Sequence, residues 1–237
     1  MLDALGTLLE LEPPVEPLRR ELRERFGVEV GAAEAGAALR AEIAFYRAHH
    51  DEASDRARLA DLRRRSAQAL RDALPAPASA LALAPLTDAL LAALRFRPFP
   101  EVAEVLRAAR ERGVRCVVVS NWDVSLHDVL EETGLAPLLD GVVTSAELGS
   151  AKPAGAIFAR GLELAGVAAH EAVHVGDSVA HDVAGARASG IEPLLLVRDG
   201  SAVDAPPPPG VRTIATLRPL LELLDPGARR RSVSFTP

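Results

Sequence analysis

The chain has 237 residues, of which 49% are hydrophobic and 25% charged, and a formal net charge of -6; this composition excludes disorder as the main state and allows a sizeable core. The acidic balance, with no cluster of Lys and Arg interleaved with aromatics, argues against a nucleic-acid partner and leaves a small anionic substrate open. A single cysteine, Cys116, excludes an intramolecular disulfide, and with no basic then apolar leader at the N-terminus a cytoplasmic location is expected.

Along the chain, residues 13–97 read as helical almost throughout. Leu18, Leu22, Arg25 and Phe26 begin one amphipathic helix closed by Gly27, and further helices are predicted over 38–50, 57–74 and 86–94. The apolar-biased stretch 76–94 is broken by Pro77, Pro85, Thr87 and Asp88, whereas a membrane span needs about 20 continuous apolar residues, so no membrane partner is expected. From Pro98 the rhythm changes. Helices predicted over 101–112, 124–133, 154–165 and 179–189 alternate with apolar runs over 114–119, 141–143, 172–175 and 193–197, the pattern of parallel strands with crossover helices. Residues 201–210, which include Pro206, Pro207, Pro208 and Pro209, read as a stiff connector, and 216–224 as a last helix. The tail 227–237, with Arg229, Arg230 and Arg231, is expected to be disordered.

Four short segments fall at the carboxyl ends of predicted strands, where open parallel sheets place their ligands. They are Asp3-Ala4-Leu5-Gly6-Thr7-Leu8, Ser120-Asn121, Lys152-Pro153 and Gly176-Asp177-Ser178-Val179-Ala180-His181-Asp182. A strand-end carboxylate at Asp3 can attack phosphorus or an activated carbon and divide one difficult displacement into two easier ones. The hexapeptide by itself equally suits a turn before Gly6. Ser120 and Asn121 precede a helix, where hydroxyl, amide and backbone N–H groups enclose an anion or cap the helix, two compatible roles. Lys152 is the only lysine in the chain. Keeping one ammonium where Arg serves everywhere else suggests a need for a compact cation that touches both a carboxylate and a phosphoryl oxygen. Asp177 and Asp182 suit helix capping and, joined by Asp3, also a hard cation such as Mg²⁺.

In order and context these motifs resemble the haloacid dehalogenase-like superfamily, and the helical block between the first and second motifs lies where that superfamily carries its C1-type cap. The resemblance implies an α/β fold: a Rossmann-like parallel sheet core from residues 1–11 and 98–226, with an inserted helical cap over 12–97 and the active site between them. It implies Asp3 as nucleophile, Ser120 as holder of the transferring group and Lys152 as the charge that offsets both. Asp177 is then a direct Mg²⁺ ligand, Asp182 a ligand through water or a support, and Leu5 a ligand through its backbone carbonyl. Asn121 and Thr7 are placed in the substrate site, Thr7 through a local hydrogen bond that holds Asp3. The implied activity is Mg²⁺-dependent hydrolysis of a small phosphorylated metabolite through an aspartyl-phosphate; the oligomeric state is open.

The commonest phosphatases of this superfamily carry a second Asp two residues after the nucleophile as general acid and base, and here that residue is Leu5. Losing a positioned general acid typically costs about 10²- to 10⁴-fold, so good leaving groups such as acyl or aryl phosphates are expected. The L-2-haloacid dehalogenases also lack this Asp, since halide needs no proton. A cap arginine shortly before an aromatic, as Arg40 stands before Phe45-Tyr46, resembles their cap and makes Arg40 a candidate substrate contact. They work without metal, however, and have uncharged residues where this chain has Asp177, whose charge beside Asp3 would repel an attacking anion unless a cation is present. A C–halogen hydrolase is therefore the alternative, and a catalytically impaired binding protein of the same fold is an alternative of another class. Phosphonoacetaldehyde hydrolase, which uses a cap lysine, is excluded by the lack of lysine in 12–97. Arg47, His49 and His50 face either substrate or solvent. Cys116 is expected to be an inert core residue. Only Met1 and Leu2 precede Asp3, so the first strand is expected either to be truncated or to begin upstream of this sequence.

Overall fold

The structure, a computed structural model, describes residues 1–200 and 203–223. The loop after Asp3 leads into β1 (Leu9–Leu11); four helices follow, α1 (Val15–Phe26), α2 (Ala32–His49), α3 (Arg56–Ala73) and α4 (Leu83–Ala93), and β2 (Phe96–Pro98) brings the chain back. Strands β1 and β2 pair antiparallel, Leu9 opposite Pro98 and Leu11 opposite Phe96, so the departure and return of the helical block are fastened side by side. This ribbon interrupts the stretch that the sequence predicts as helical, because strands of three residues are too short to register a period of their own.

Local chemistry sets the helix ends. Gly27 closes α1 with a left-handed φ of 65°, and the Asp55 carboxylate caps α3 by accepting the Arg58 N–H at 2.9 Å. Helix α2 starts at Ala32, earlier than its apolar period suggests, since its alanines carry helix without an apolar stripe and the Glu34 carboxylate accepts the Gly31 N–H at 3.0 Å. The inward faces, including Leu18, Leu22, Leu39, Leu70, Leu86 and Leu90, form an apolar core belonging to the block itself.

The rest of the chain alternates. Helix α5 (Val102–Glu111) leads to β3 (Val117–Ser120), α6 (Leu126–Glu132), β4 (Gly141–Thr144), α7 (Ser145–Leu148), α8 (Gly155–Ala165), β5 (Val173–Gly176), α9 (Ala184–Ala188), β6 (Glu192–Leu196), β7 (Arg212–Ile214) and α10 (Leu220–Leu223). Parallel pairings join β3 to β4, β5 to β6 and β6 to β7. The N-terminal segment fills the place between β3 and β5. Leu2 bridges in parallel to both Val118 and Val175, with the Leu2 N–H donating to Val117 O and the Asp3 N–H to Val175 O, each at 2.9 Å. The order β4, β3, segment 1–3, β5, β6, β7 is that of a Rossmann-like parallel sheet with Asp3 at the carboxyl end of its centre.

Neither β7 nor α7 is expected from the sequence. Two of the three residues of β7 are exposed, which leaves no apolar run to read, and α7 has only four residues. The predicted last helix shortens to α10. The expected disordered tail 227–237 and residues 224–226 lie outside the described residues. Among the described residues, no helix is long and apolar enough to cross a membrane.

Candidate active site

Every fixed side chain of the candidate site leaves the sheet at its carboxyl edge. Asp3 ends the central segment, Ser120 ends β3, and Asp177 follows β5; Lys152 lies in the loop between α7 and α8. Asp182 lies in a π turn, Val179–Val183, that opens into α9. The Ser120 hydroxyl donates to Asp3 Oδ1 at 2.9 Å, and Lys152 Nζ donates to the same oxygen at 2.6 Å. Asp3 Oδ2 has no side-chain donor among the described residues. The Lys152 ammonium also donates to Asp182 Oδ1 at 2.6 Å, His174 Nε2 donates to that oxygen at 2.8 Å, and Asp182 Oδ2 accepts the Ser178 N–H at 3.1 Å.

The cluster is dry. Lys152 is 4% exposed, Asp3 7%, Asp182 1% and His174 0%. Burial works against the Lys152 charge, but the Asp182 and Asp3 carboxylates outweigh it and hold the ammonium above its ordinary pKa. Burial alone would raise Asp182; the Lys152 charge and the His174 donor reverse this and hold its carboxyl well below the usual range. Burial holds His174 below its ordinary value, so a neutral imidazole makes the bond to Asp182. Burial pushes Asp3 up, with Lys152 opposing and Asp182 adding to the rise. Asp177 has no ion-pair partner among the described residues. Burial, then the Asp3 and Asp182 charges, push its pKa up to about 7.

Carboxylate oxygens of Asp3, Asp177 and Asp182 lie within 4.8 Å of one another. Three ionised carboxylates against one ammonium leave two negative charges uncompensated, and every donor is a hard oxygen, so the residues fit a divalent cation of the Mg²⁺ type. Asp182 spends both oxygens on protein donors, which suits a supporting place behind Asp177. Two glycines allow this closeness. Gly6 has a φ of +80°, and a Cβ there would stand 2.1 Å from Asp177 Oδ2; a Cβ at Gly176 would stand 2.1 Å from Asp182 Cγ.

The remaining expected residues divide. Thr7 is buried, but its Oγ1 has no hydrogen-bond partner, so the expected bond to Asp3 is not made, and Ser120 and Lys152 hold that carboxylate instead. The Asn121 amide turns to the neighbouring loop: its Oδ1 accepts the Lys152 N–H at 2.7 Å and its Nδ2 donates to Lys152 O at 3.0 Å. Leu5 is 39% exposed and lines a cavity of about 910 Å³ between the helical block and the sheet. Arg40 is exposed on α2 and outside the cavity wall, nearer the helix N-terminus than the wall reaches; α2 contributes Glu42, Ile43, Tyr46 and Arg47 to it.

Four further residues shape the site. His174 had a readable signal, since a histidine within an apolar strand run demands a polar partner. Tyr46, the only tyrosine in the chain, donates from its hydroxyl to Asp123 Oδ2 at 2.9 Å and ties the helical block to the sheet. Arg198 and Asp204 had no signal. Arg198 donates to the carbonyls of Gly6 at 3.1 Å and Thr7 at 2.7 Å, pinning the loop after Asp3. The Asp204 carboxylate, from the proline-rich connector, accepts the Ser178 hydroxyl and the Val179 N–H at 2.7 Å each and the Ala180 N–H at 3.0 Å, fastening the loop between Asp177 and Asp182.

Comparison with known proteins gives the same picture from outside. The family model described as haloacid dehalogenase-like hydrolase matches residues 1–190. Haloacid dehalogenase-like hydrolase domain-containing protein 3 of Bos taurus is 44% identical over 91 residues, 38% of this chain and 36% of that protein. The ribulose-1,5-bisphosphate 5-phosphatase of Halopiger xanaduensis is 37% identical over 125 residues, 52% of this chain and 51% of that protein. The matched segments thus span about half or less of these relatives. A solved structure of a 2-haloacid dehalogenase from Pseudomonas syringae pv. Tomato DC3000 has a TM-score of 0.62 and 24% identity, covering 94% of this chain and 96% of that one, a likeness of fold. With a family model over residues 1–190 and four motifs brought to one sheet edge, the chain belongs to the haloacid dehalogenase-like hydrolases.

Proposed function

We propose that this chain is a Mg²⁺-dependent phosphohydrolase that acts on a small phosphorylated metabolite through an aspartyl-phosphate on Asp3, with residues 12–97 as a cap over a core of 1–11 and 98–226. One observation carries this reading: Ser120 and Lys152 both hold Oδ1 of Asp3, which leaves Oδ2 without a side-chain donor and turns the carboxylate into an oriented nucleophile. Oδ2 attacks phosphorus in line, and the bond to the leaving oxygen breaks with its electron pair going to the leaving group. Water then hydrolyses the acyl phosphate, releasing inorganic phosphate and regenerating the carboxylate.

Lys152 offsets the charge on Asp3 and on the phosphoryl group, and Asn121 is a positioning residue that fixes the backbone from which the ammonium reaches in. Asp3, Asp177 and the Leu5 carbonyl would hold the cation, with Asp182 in support. Such an ion supplies charge stabilisation to the transferring phosphoryl oxygens. The leucine side chain offers no proton, so the leaving group departs as a stable anion, which favours acyl and aryl phosphates.

Hydrolysis of a C–halogen bond is the second reading, favoured by Leu5 because halide needs no proton. The uncompensated Asp177 weighs against it. Hydrolysis of acetyl phosphate and p-nitrophenyl phosphate that requires Mg²⁺ and disappears in Asp3→Asn supports the phosphohydrolase. Halide release from 2-chloropropionate in the presence of EDTA, with no phosphate release, replaces it by the dehalogenase. A folded chain inert to all three compounds replaces it by a binding role.

A further inference from the structure

The helical wall of the cavity combines apolar residues such as Leu59, Leu62 and Leu90 with Arg47, Arg63 and Arg95 and with a buried polar group. Glu42 and Ser66 are each 3% exposed, and both line the cavity together with His50. Ser66 Oγ and His50 Nδ1 are buried without a hydrogen-bond partner. Glu42 makes no ion pair among the described residues. Ser66 lies beside it and slightly opposes the rise in its pKa, to about 7, that burial causes, but the two do not reach hydrogen-bond geometry. Buried polar groups are nearly always paired, and each unpaired one costs stability. Two such atoms, Ser66 Oγ and His50 Nδ1, together with the buried Glu42 carboxylate on the helical side of a cavity that Leu5 and Asn121 also line, mark a place where a ligand supplies the partners.

We propose that Glu42, Ser66 and His50 form a recognition subsite for the leaving group and hydrogen-bond hydroxyl groups at the end of the substrate remote from its phosphate. The proposal deepens the phosphohydrolase reading and rests on it. A hydroxyl both donates and accepts, so one suits the Glu42 carboxylate and the Ser66 hydroxyl, and a second suits the His50 nitrogen about two helical turns further along. The cavity volume of about 910 Å³ is far larger than a two- or three-carbon compound and suits a ligand the size of a substituted ring system. Its middle would lie against Leu62, Leu90 and Trp122, which line the same space. Since Leu5 gives no proton, the oxygen that leaves must be a stable anion. Together these features select a hydroxylated aryl phosphate.

The test uses matched pairs: phenyl phosphate with 4-hydroxyphenyl phosphate, and 2-naphthyl phosphate with its ring-hydroxylated isomers, each measured with Mg²⁺ against acetyl phosphate as reference. In at least one pair the hydroxylated member should exceed its parent about tenfold in kcat/KM, through KM, as one added hydrogen bond in a buried site implies. Ser66→Ala and Glu42→Gln should bring that ratio to within about twofold of unity. Ser66→Ala should also raise the melting temperature of the free protein, because it removes an unpaired buried hydroxyl; a structural role predicts a fall. Parents equal to or better than every hydroxylated partner overturn the subsite while acetyl phosphate hydrolysis keeps the phosphohydrolase reading in place. So does an unchanged ratio in both variants. If no phosphate compound is hydrolysed, the phosphohydrolase reading itself falls.

Discussion

The catalytic cluster at the sheet edge and the helical wall of the cavity that Leu5 and Asn121 border are finished in opposite ways. On the sheet side, Lys152 is shared between Asp3 and Asp182, and Asp182 has a donor for each oxygen. On the helical side, Ser66 Oγ and His50 Nδ1 have no partner and Glu42 no counter-ion among the described residues. Groups that react must hold their geometry before substrate arrives, because attack depends on near-fixed orientation. Groups that recognise a substrate gain selectivity by being incomplete without it, since a wrong ligand leaves them unpaired. Asp177 belongs to the sheet side but behaves like the second class, with its charge uncompensated and its pKa pushed up to about 7.

Five measurements would break or sharpen this contrast. The largest effect is expected from Asp3→Asn, which should lower kcat/KM for acetyl phosphate by at least ~10³-fold; activity within tenfold of wild type would assign the attack to another group. Lys152→Met leaves Asp3 and Asp182 buried without their cation and should lower stability in urea by about 3–5 kcal/mol. Adding Asp182→Asn should recover part of that loss, because it removes one of the stranded charges.

Next is the cation. Mg²⁺ at a hundredfold excess over its Kd should stabilise the wild type by about 2.7 kcal/mol, and Asp177→Asn should abolish the response while making the metal-free protein more stable than wild type. Equal Mg²⁺ stabilisation of both proteins would place the ion elsewhere.

On the helical wall the sign reverses, because removing a group should help the fold. Burial raises the Glu42 pKa from 4.5 to about 7 in the folded chain, so the unfolded chain releases its proton first and wild-type stability falls as pH rises between those values. The stability of Glu42→Gln relative to wild type should therefore be at its lowest below pH 4.5 and climb by roughly 3 kcal/mol by pH 8. Arg47, Arg63 and Arg95 line the same cavity, and a flat difference across this range would mean that their positive charges already compensate Glu42. The smallest effect is expected at the join between the walls. Tyr46→Phe removes the hydroxyl that pairs with Asp123 Oδ2, a residue 1% exposed, and should cost about 1–2 kcal/mol in chemical denaturation.

Much of the core was legible in the chain because its signals are local. Apolar runs leading to Ser120 and Asp177 mark strand ends, the motif around Asp3 marks a third, and strand ends on one edge of a parallel sheet are neighbours whatever lies between them. The lone lysine was legible by residue type alone. Less legible were His174, whose partner Asp182 became evident only once the π turn folded back, and Asp204, whose role depends on where a proline-rich connector comes to rest.

By itself, then, the sequence determined the change from helical to strand rhythm near Pro98, the α/β class and the set of chemically competent residues at the sheet edge. Those features follow from periods and residue chemistry carried within a few positions of each other. Only the tertiary structure decided that Oδ1 rather than Oδ2 of Asp3 is anchored, that Thr7 stands unpaired, that Glu42 and not Arg40 lines the cavity, and that a three-residue ribbon joins block to sheet. These depend on contacts between residues as far apart as 149 positions, and such contacts are set by how whole elements pack against one another.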